Sequence, residues 1–296
     1  MNDSITAVPG VRAGHWTDGE AHTGVTAVLT PGGARGAVFI PGSAPGTREL
    51  ALLEPRHLAR TIHGVCLAGG SAFGLAAADG VMAALAARGI GFPTGGGVVP
   101  LVPAAILFDL HTATARPGPD GGQAAAEAGL DGEGPLATGR VGAGAGAMVG
   151  GLWGTPHRGG VGGGAATVEA GGDWTVGVVV ALNAAGTVRD PDTGAWRTGP
   201  PTPRGEPGLG EATTLAVVAT DAPLDAGQLQ TVARMASAGM ARAIVPAFTP
   251  FDGDIVFALS TAAGVGAEAP AVAAVGHAAA ELLARAIISA VGAPVG

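Results

Sequence analysis

Thr213 stands where a polar, proline-rich stretch turns into an apolar run. Arg189 to Glu211 reads RDPDTGAWRTGPPTPRGEPGLGE, and after Ala212 the chain continues TTLAVVATDAP. The first stretch lacks the apolar surface to fold tightly and predicts an exposed loop, whereas the second predicts a buried strand. A threonine at such a junction can attack the carbonyl of the residue before it, here Ala212. After the cut it keeps its hydroxyl and gains a free α-amine, so nucleophile and base share one residue. The plainer reading is a polar residue at a strand start, and Thr214 is a competing position. Asp252 and Asp254 precede a second apolar strand, predicted over Asp254 to Ser260. Side chains at i and i+2 of a strand share a face, so both acids can converge on one site, with Gly253 leaving no bulk on the other face. Two inward carboxylates are costly unless compensated, and the ammonium of a cleaved Thr213 would compensate them. The alternative is a turn over Pro250-Phe251-Asp252-Gly253. Asn183 closes the apolar run Val178 to Leu182, either opening a turn over Asn183-Ala184-Ala185-Gly186 or serving the site.

These residues need a frame. A chain of 296 residues, 47% hydrophobic, can build a sizeable core, and no internal linker separates two complete patterns. One domain is expected over 1–296. The β-type runs are Val25 to Leu29, Gly36 to Ile40, Gly64 to Leu67, Trp174 to Leu182, Thr213 to Thr220 and Asp254 to Ser260. Helices are predicted over Ala72 to Arg88 with Ser71 as N-cap, over Ala226 to Ile244 capped by Asp225, and over Pro270 to Val291. Strands outnumber helices without strict alternation, which favours a layered α+β class over a doubly wound parallel sheet.

Composition narrows the chemistry further. The net charge of −8 and the lack of a basic run argue against nucleic acid as a partner. Cys66 is the single cysteine, so no intrachain disulfide can form, and the N-terminal Met1-Asn2-Asp3-Ser4 lacks a secretion signal; a cytoplasmic protein is expected. The uncharged stretch from Gly89 to Phe108 is interrupted by Pro93, Gly95, Gly96, Gly97, Pro100 and Pro103, so it predicts buried loop and strand and no membrane span. The chain holds no Lys and no Tyr, which excludes Schiff-base lysines, a Walker-type phosphate loop and a tyrosine acid. Its seven histidines, His15, His22, His57, His63, His111, His157 and His277, show no metal-ligand spacing, and no metal or cofactor is implied. Gly69-Gly70-Ser71-Ala72-Phe73-Gly74 misses the G-x-S-x-G elbow by one residue. The backbone N–H groups of Gly70 and Ser71, at a helix start, could instead bind an anion or oxyanion. The alternation Gly142 to Gly146 lacks the spacing of a dinucleotide fingerprint and reads as close packing.

Taken together in order, several strings resemble one family. They are Val8-Pro9-Gly10-Val11-Arg12-Ala13-Gly14-His15, Pro41-Gly42-Ser43-Ala44-Pro45-Gly46-Thr47-Arg48-Glu49, Leu67-Ala68-Gly69-Gly70-Ser71-Ala72-Phe73-Gly74-Leu75, Val141 to Ala147, and the Thr213 and Asp252/Asp254 segments. The chain is similar to the self-processing N-terminal-nucleophile hydrolases that include the nylon-oligomer (6-aminohexanoate-oligomer) hydrolase, the L-aminopeptidase/D-esterase and the β-peptidyl aminopeptidases. The Thr nucleophile with an Asp-Gly-Asp pair looks closer to the nylon-oligomer branch than to the Ser-nucleophile aminopeptidases. The resemblance implies a four-layer α-β-β-α sandwich, self-cleavage between Ala212 and Thr213 into 1–212 and 213–296, a homotetramer, and amide hydrolysis. It also implies that Asn183 donates a side-chain N–H to the nucleophile or oxyanion. Three positions depart from that branch: Gly151 stands in place of its Lys, Phe108 in place of its Tyr, and Ala212 in place of its Asn before the nucleophile. One oxyanion donor is worth ~2.7–4 kcal/mol in catalysis, so the two losses bear on rate, substrate choice or donor identity near Phe108 and Gly151. Rival readings with the same machinery are an aminopeptidase or β-peptidase and an acyltransferase resembling ornithine acetyltransferase; an uncleaved scaffold is a third.

Overall fold

Alternate residues of the same strands fall into different apolar clusters, the mark of sheets covered on both faces. The computed structural model describes residues 2–54, 61–152, 156–201 and 211–292. Its principal strands are β1 (Arg12–Asp18), β2 (Thr23–Phe39), β3 (Gly46–Arg48), β4 (Ile62–Ala68), β5 (Ala104–Ile106), β6 (Gly160–Glu169), β7 (Asp173–Asn183), β8 (Thr213–Thr220) and β9 (Ile255–Ser260). The helices are α1 (Ala77–Ala87), α2 (Pro119–Asp131), α3 (Ala226–Ala243) and α4 (Ala269–Ala290). Hydrogen bonding runs in the order β6-β7-β8-β9-β2-β4-β5-β3, with β1 paired to β2.

The long β2 joins two sheets. Val25 to Leu29 pair with β4, and Arg35 to Phe39 pair with β9, with a register shift between Leu29 and Ala34. One sheet therefore holds β6-β7-β8-β9 and the end of β2; the other holds its beginning with β1, β4, β5 and β3. Val28, Val65, Leu67 and Ala105 of the second sheet share a cluster with Val179, Leu215, Val217 and Phe257 of the first, so the two sheets face each other. The intervening residues turn outward: Val178, Ala216, Val218 and Val256 pack on α3 and α4. On the far side Val25, Ala27, Cys66 and Ile106 pack on α1 and α2. This is the expected four-layer α-β-β-α sandwich.

Local chemistry explains most boundaries. Asp225 caps α3 through a capping box, accepting the Gln228 N–H at 2.8 Å while Gln228 Oε1 accepts the Asp225 N–H at 3.0 Å. Ser71 is not an N-cap. The chain leaves β4 with positive φ at both Gly70 and Ser71, whereas a capping side chain needs extended backbone, and the segment Ser71–Ala76 is a 3₁₀ turn ahead of α1. α4 is long and apolar enough to cross a bilayer by length and composition, but it packs against α3, β6 and β7. Cys66 is buried, and that burial pushes its thiol up to about 12.

The stretch before Thr213 also differs from its expectation. Asp190 accepts the backbone N–H groups of Asp192 and Thr193 and pairs with Arg197 at 2.9 Å, while Thr198 accepts the Val188 N–H at 2.8 Å. Thr187–Val188 pairs with Ile244–Val245. Polar side chains satisfying backbone groups thus fold 187–198 without a large apolar contribution. The part of this expected loop at 202–210 lies outside the described residues, as does His57.

Candidate active site

Three chain segments meet at the start of β8. Thr213 sits opposite Asn183 in the antiparallel β7–β8 ladder, and the parallel β8–β9 pairing reaches back to a bridge between Ala212 and Asp252. Thr213 is 2% exposed. Its hydroxyl donates to the Ala212 carbonyl oxygen at 2.5 Å, and the Gly253 N–H donates to the same oxygen at 2.9 Å. A Cβ on Gly253 would stand 2.8 Å from Thr213 Oγ1 and 2.5 Å from the Ala44 oxygen, so the close approach requires glycine. The Thr214 hydroxyl, on the opposite strand face, is buried on the side of Asp254. Of the two adjacent threonines, Thr213 is therefore the one engaged with a backbone carbonyl.

The two acids are both buried beside this junction, with different partners. Asp252 accepts the Ala185 N–H at 3.1 Å through Oδ1, and the N–H and hydroxyl of Thr249 through Oδ2. Its own N–H closes a turn to the Thr249 carbonyl at 3.1 Å, so the turn and the site are one feature. Asp254 accepts the Thr214 N–H at 2.6 Å. Ser43 and Ala44 donate backbone N–H groups to the Asp252 carbonyl, and Gly42 to that of Asp254, which clamps the Asp-Gly-Asp backbone. Burial raises the Asp254 carboxyl above the ordinary range, the charge of Asp252 raises it further, and the backbone N–H groups of Thr214 and Phe248 oppose the rise.

A pH dependence follows. A carboxyl whose folded value lies above its unfolded one binds its proton more tightly in the fold, so its stabilising contribution is complete at acidic pH and is lost as pH rises through the raised value. In Thr213→Ala, which has no new ammonium to offset the charge, chemical denaturation should give a midpoint that falls from acidic to mildly alkaline pH. Adding Asp254→Asn should flatten that fall; an unchanged slope would contradict the assignment.

A cavity of about 280 Å³ opens beside the junction, its wall including Phe108, Met148, Gly151, Leu152, Asn183, Ala185, Ala212 and Phe251. Phe108 and Gly151 both face it, adding apolar surface and no side-chain donor. The Asn183 amide is held between two backbone groups, donating to the Phe108 carbonyl at 2.8 Å and accepting the Met148 N–H at 2.8 Å. Gly70 and Ser71 are placed elsewhere. The Gly70 N–H is taken by Asp109 Oδ1 at 2.6 Å and the Ser71 N–H by the Leu107 carbonyl at 3.0 Å, which leaves neither donor for an oxyanion. Burial raises the Asp109 carboxyl, against the pull of the Thr23 hydroxyl and the Gly70 N–H. Among the described residues no group of three His, Cys, Asp or Glu could hold a metal ion.

The family model for Peptidase family S58 matches residues 3–294. The chain belongs to Peptidase family S58. An uncharacterised aminopeptidase of Mycobacterium tuberculosis is 43% identical over 332 residues, covering 98% of this chain and 93% of the relative. A 6-aminohexanoate-oligomer endohydrolase of a Kocuria species is 31% identical over 274 residues, covering 86% and 73%. The L-aminopeptidase D-Ala-esterase/amidase of Ochrobactrum anthropi, a variant of the Ntn hydrolase fold, superposes with a TM-score of 0.71 at 22% identity, covering 97% and 85%. This S58 chain thus has the Ntn-hydrolase fold and is a hydrolase of amide or peptide bonds.

Four groups beside the junction and the cavity go beyond the sequence reading: the Gly253 N–H, Thr249, Glu211 and His111. His111, one of the seven histidines without metal-ligand spacing, lines the cavity and hydrogen-bonds Glu211 at 3.0 Å. The only available signals were the glycine between two acids and a threonine three residues before the first of them.

Proposed function

We propose that the chain is made as a precursor that cuts itself between Ala212 and Thr213 and then hydrolyses linear aliphatic amides with the new N-terminal threonine. The observation that supports this most is the Thr213 hydroxyl lying 2.5 Å from the Ala212 carbonyl oxygen while the Gly253 N–H holds that oxygen at 2.9 Å. In the first step Thr213 Oγ1 bonds to the Ala212 carbonyl carbon and the C–N bond breaks; the hydroxyl proton ends on the Thr213 nitrogen. Gly253 N–H stabilises the transient oxyanion. Water then opens the ester, giving a carboxylate on Ala212 and a free Thr213.

The freed α-amine, with an ordinary value of ~7.7–8.0, is suited to take the hydroxyl proton at neutral pH. Asp252 and Asp254 offset its charge and orient it, and Asn183 with backbone N–H groups serves the substrate oxyanion. Phe108, Met148, Leu152, Ala185 and Phe251 give the cavity an apolar wall suited to a methylene chain. A homotetrameric enzyme belongs to the same proposal on the strength of the resemblance.

A second reading, an aminopeptidase, draws support from the name of the M. tuberculosis relative and from Asp109 and Glu211 at the cavity, which could hold a substrate ammonium. Mass-spectrometric product analysis separates the two. Faster cleavage of 6-aminohexanoate oligomers than of L-amino-acid p-nitroanilides is expected; single-residue release from peptides with no attack on the oligomers would establish the aminopeptidase.

A further inference from the structure

The precursor already holds a peptide in its own site, and the way it holds Ala212 describes how a substrate must lie. Ala212 runs alongside Phe251 to Gly253 as a short parallel strand: its N–H donates to the Phe251 carbonyl at 3.4 Å and its carbonyl accepts the Gly253 N–H at 2.9 Å. Ala212 is 8% exposed and packs with Leu152, Ala185 and Phe251, a small apolar cluster separate from the three core clusters. Leu152 is itself fixed to this wall, its N–H donating to the Ala185 carbonyl at 3.0 Å.

We infer that Phe251 to Gly253 is the acyl-side binding edge of the mature enzyme, and that Leu152, Ala185 and Phe251 are its specificity-determining residues, forming a seat for the substituent on the acyl α-carbon. The inference rests on Thr213 being the nucleophile. Its hydroxyl must meet a substrate carbonyl where it now meets that of Ala212, so once Ala212 withdraws, the substrate's acyl carbon inherits its place. The seat matches a hydrogen or a methyl group. Glycyl, alanyl and unsubstituted ω-aminoacyl groups fit it, whereas a β-branched or aromatic group must displace packed side chains.

Self-cleavage and turnover should therefore obey one size rule. In one series, Ala212→Gly, Ala212→Val and Ala212→Phe are followed by intact mass for the rate of cleavage at Thr213. In the other, wild-type enzyme is assayed on glycyl, alanyl, valyl and phenylalanyl p-nitroanilides. The small members are expected to lead the large ones by roughly tenfold or more in kcat/KM and in cleavage rate, in the same order. Leu152→Ala should narrow the gap between valyl and alanyl in both series. Opposite orders in the two series, an unchanged gap in Leu152→Ala, or cleavage of 6-aminohexanoate oligomers with none of the glycyl or alanyl anilides would overturn the shared seat with the nucleophile intact. A wild-type chain that never cuts at Thr213 would overturn the nucleophile itself, and the seat with it.

Discussion

Purified protein is expected to run on a denaturing gel as two chains, the smaller beginning at Thr213, while Thr213→Ala runs as one. The Ala212 carbonyl accepts from two donors at once, and the hydroxyl proposed to attack it is one of them. Removing that hydroxyl removes the nucleophile for both steps. Its loss from a catalytic unit costs on the order of 10⁶-fold in kcat, so the variant should show neither fragments nor measurable amide turnover. Folding should survive, because the substitution shortens a side chain and leaves both β8 ladders intact. Intact-mass analysis after prolonged incubation at neutral pH is the decisive measurement; a wild-type sample that stays full length would refute self-processing.

Asp252→Asn and Asp254→Asn should each slow turnover by roughly 10²–10⁴-fold, the range set by a lost acid–base or amine-orienting group. Their effects on folding should differ. At Asp252 an amide nitrogen in either orientation would face donors, the Ala185 N–H on one side or the two from Thr249 on the other, and unpaired buried polar groups cost about 1–3 kcal/mol. At Asp254 the change removes a carboxyl whose ionised form is disfavoured by burial and by its neighbour, so Asp254→Asn in the uncut chain should match or exceed the parent in stability at alkaline pH. Steady-state kinetics on any cleaved amide, set beside denaturation midpoints, checks both. Two variants with unimpaired turnover would reduce the acids to turn residues.

How much of this was legible depended on what each residue's neighbours contribute. β8 and β9 were readable because their own side chains, Leu215 to Ala219 and Ile255 to Leu259, are apolar on both faces, as strands between a sheet and a helix layer must be. β6 was not, because its Gly160-Val161-Gly162-Gly163-Gly164 run has almost no side chains to show periodicity. The reason lies in α4: a Cβ on Gly162 would stand 1.8 Å from the Ala286 carbonyl, so the strand is glycine to let the helix approach. β2 was read as two strands because Pro31-Gly32-Gly33 looks like a break; it is the bend by which one strand serves both sheets. α2 was missed for similar reasons, its start being Pro119-Asp120-Gly121-Gly122. In the site, threonine and paired acids carry their chemistry in their side chains and could be found. The Gly253 N–H is a backbone donor whose role exists only once Ala212 lies beside it.

The position of β8 and β9 bears on what the proposed cleavage would do to the folded chain. These adjacent strands lie between β7 and β2, so the segment from 213 onward supplies the middle of a sheet whose flanks come from the segment before the cut. A chain folding in one piece brings these partners together at the high local concentration of a tether. Once the bond at Ala212 is gone that tether no longer exists, and a fully denatured sample would have to reassemble its central sheet from two separate polypeptides, at a rate that depends on dilution. Maturation would therefore make the folded state a product of its history: formed once as a monomolecular event, then maintained by the slowness with which two interleaved chains part.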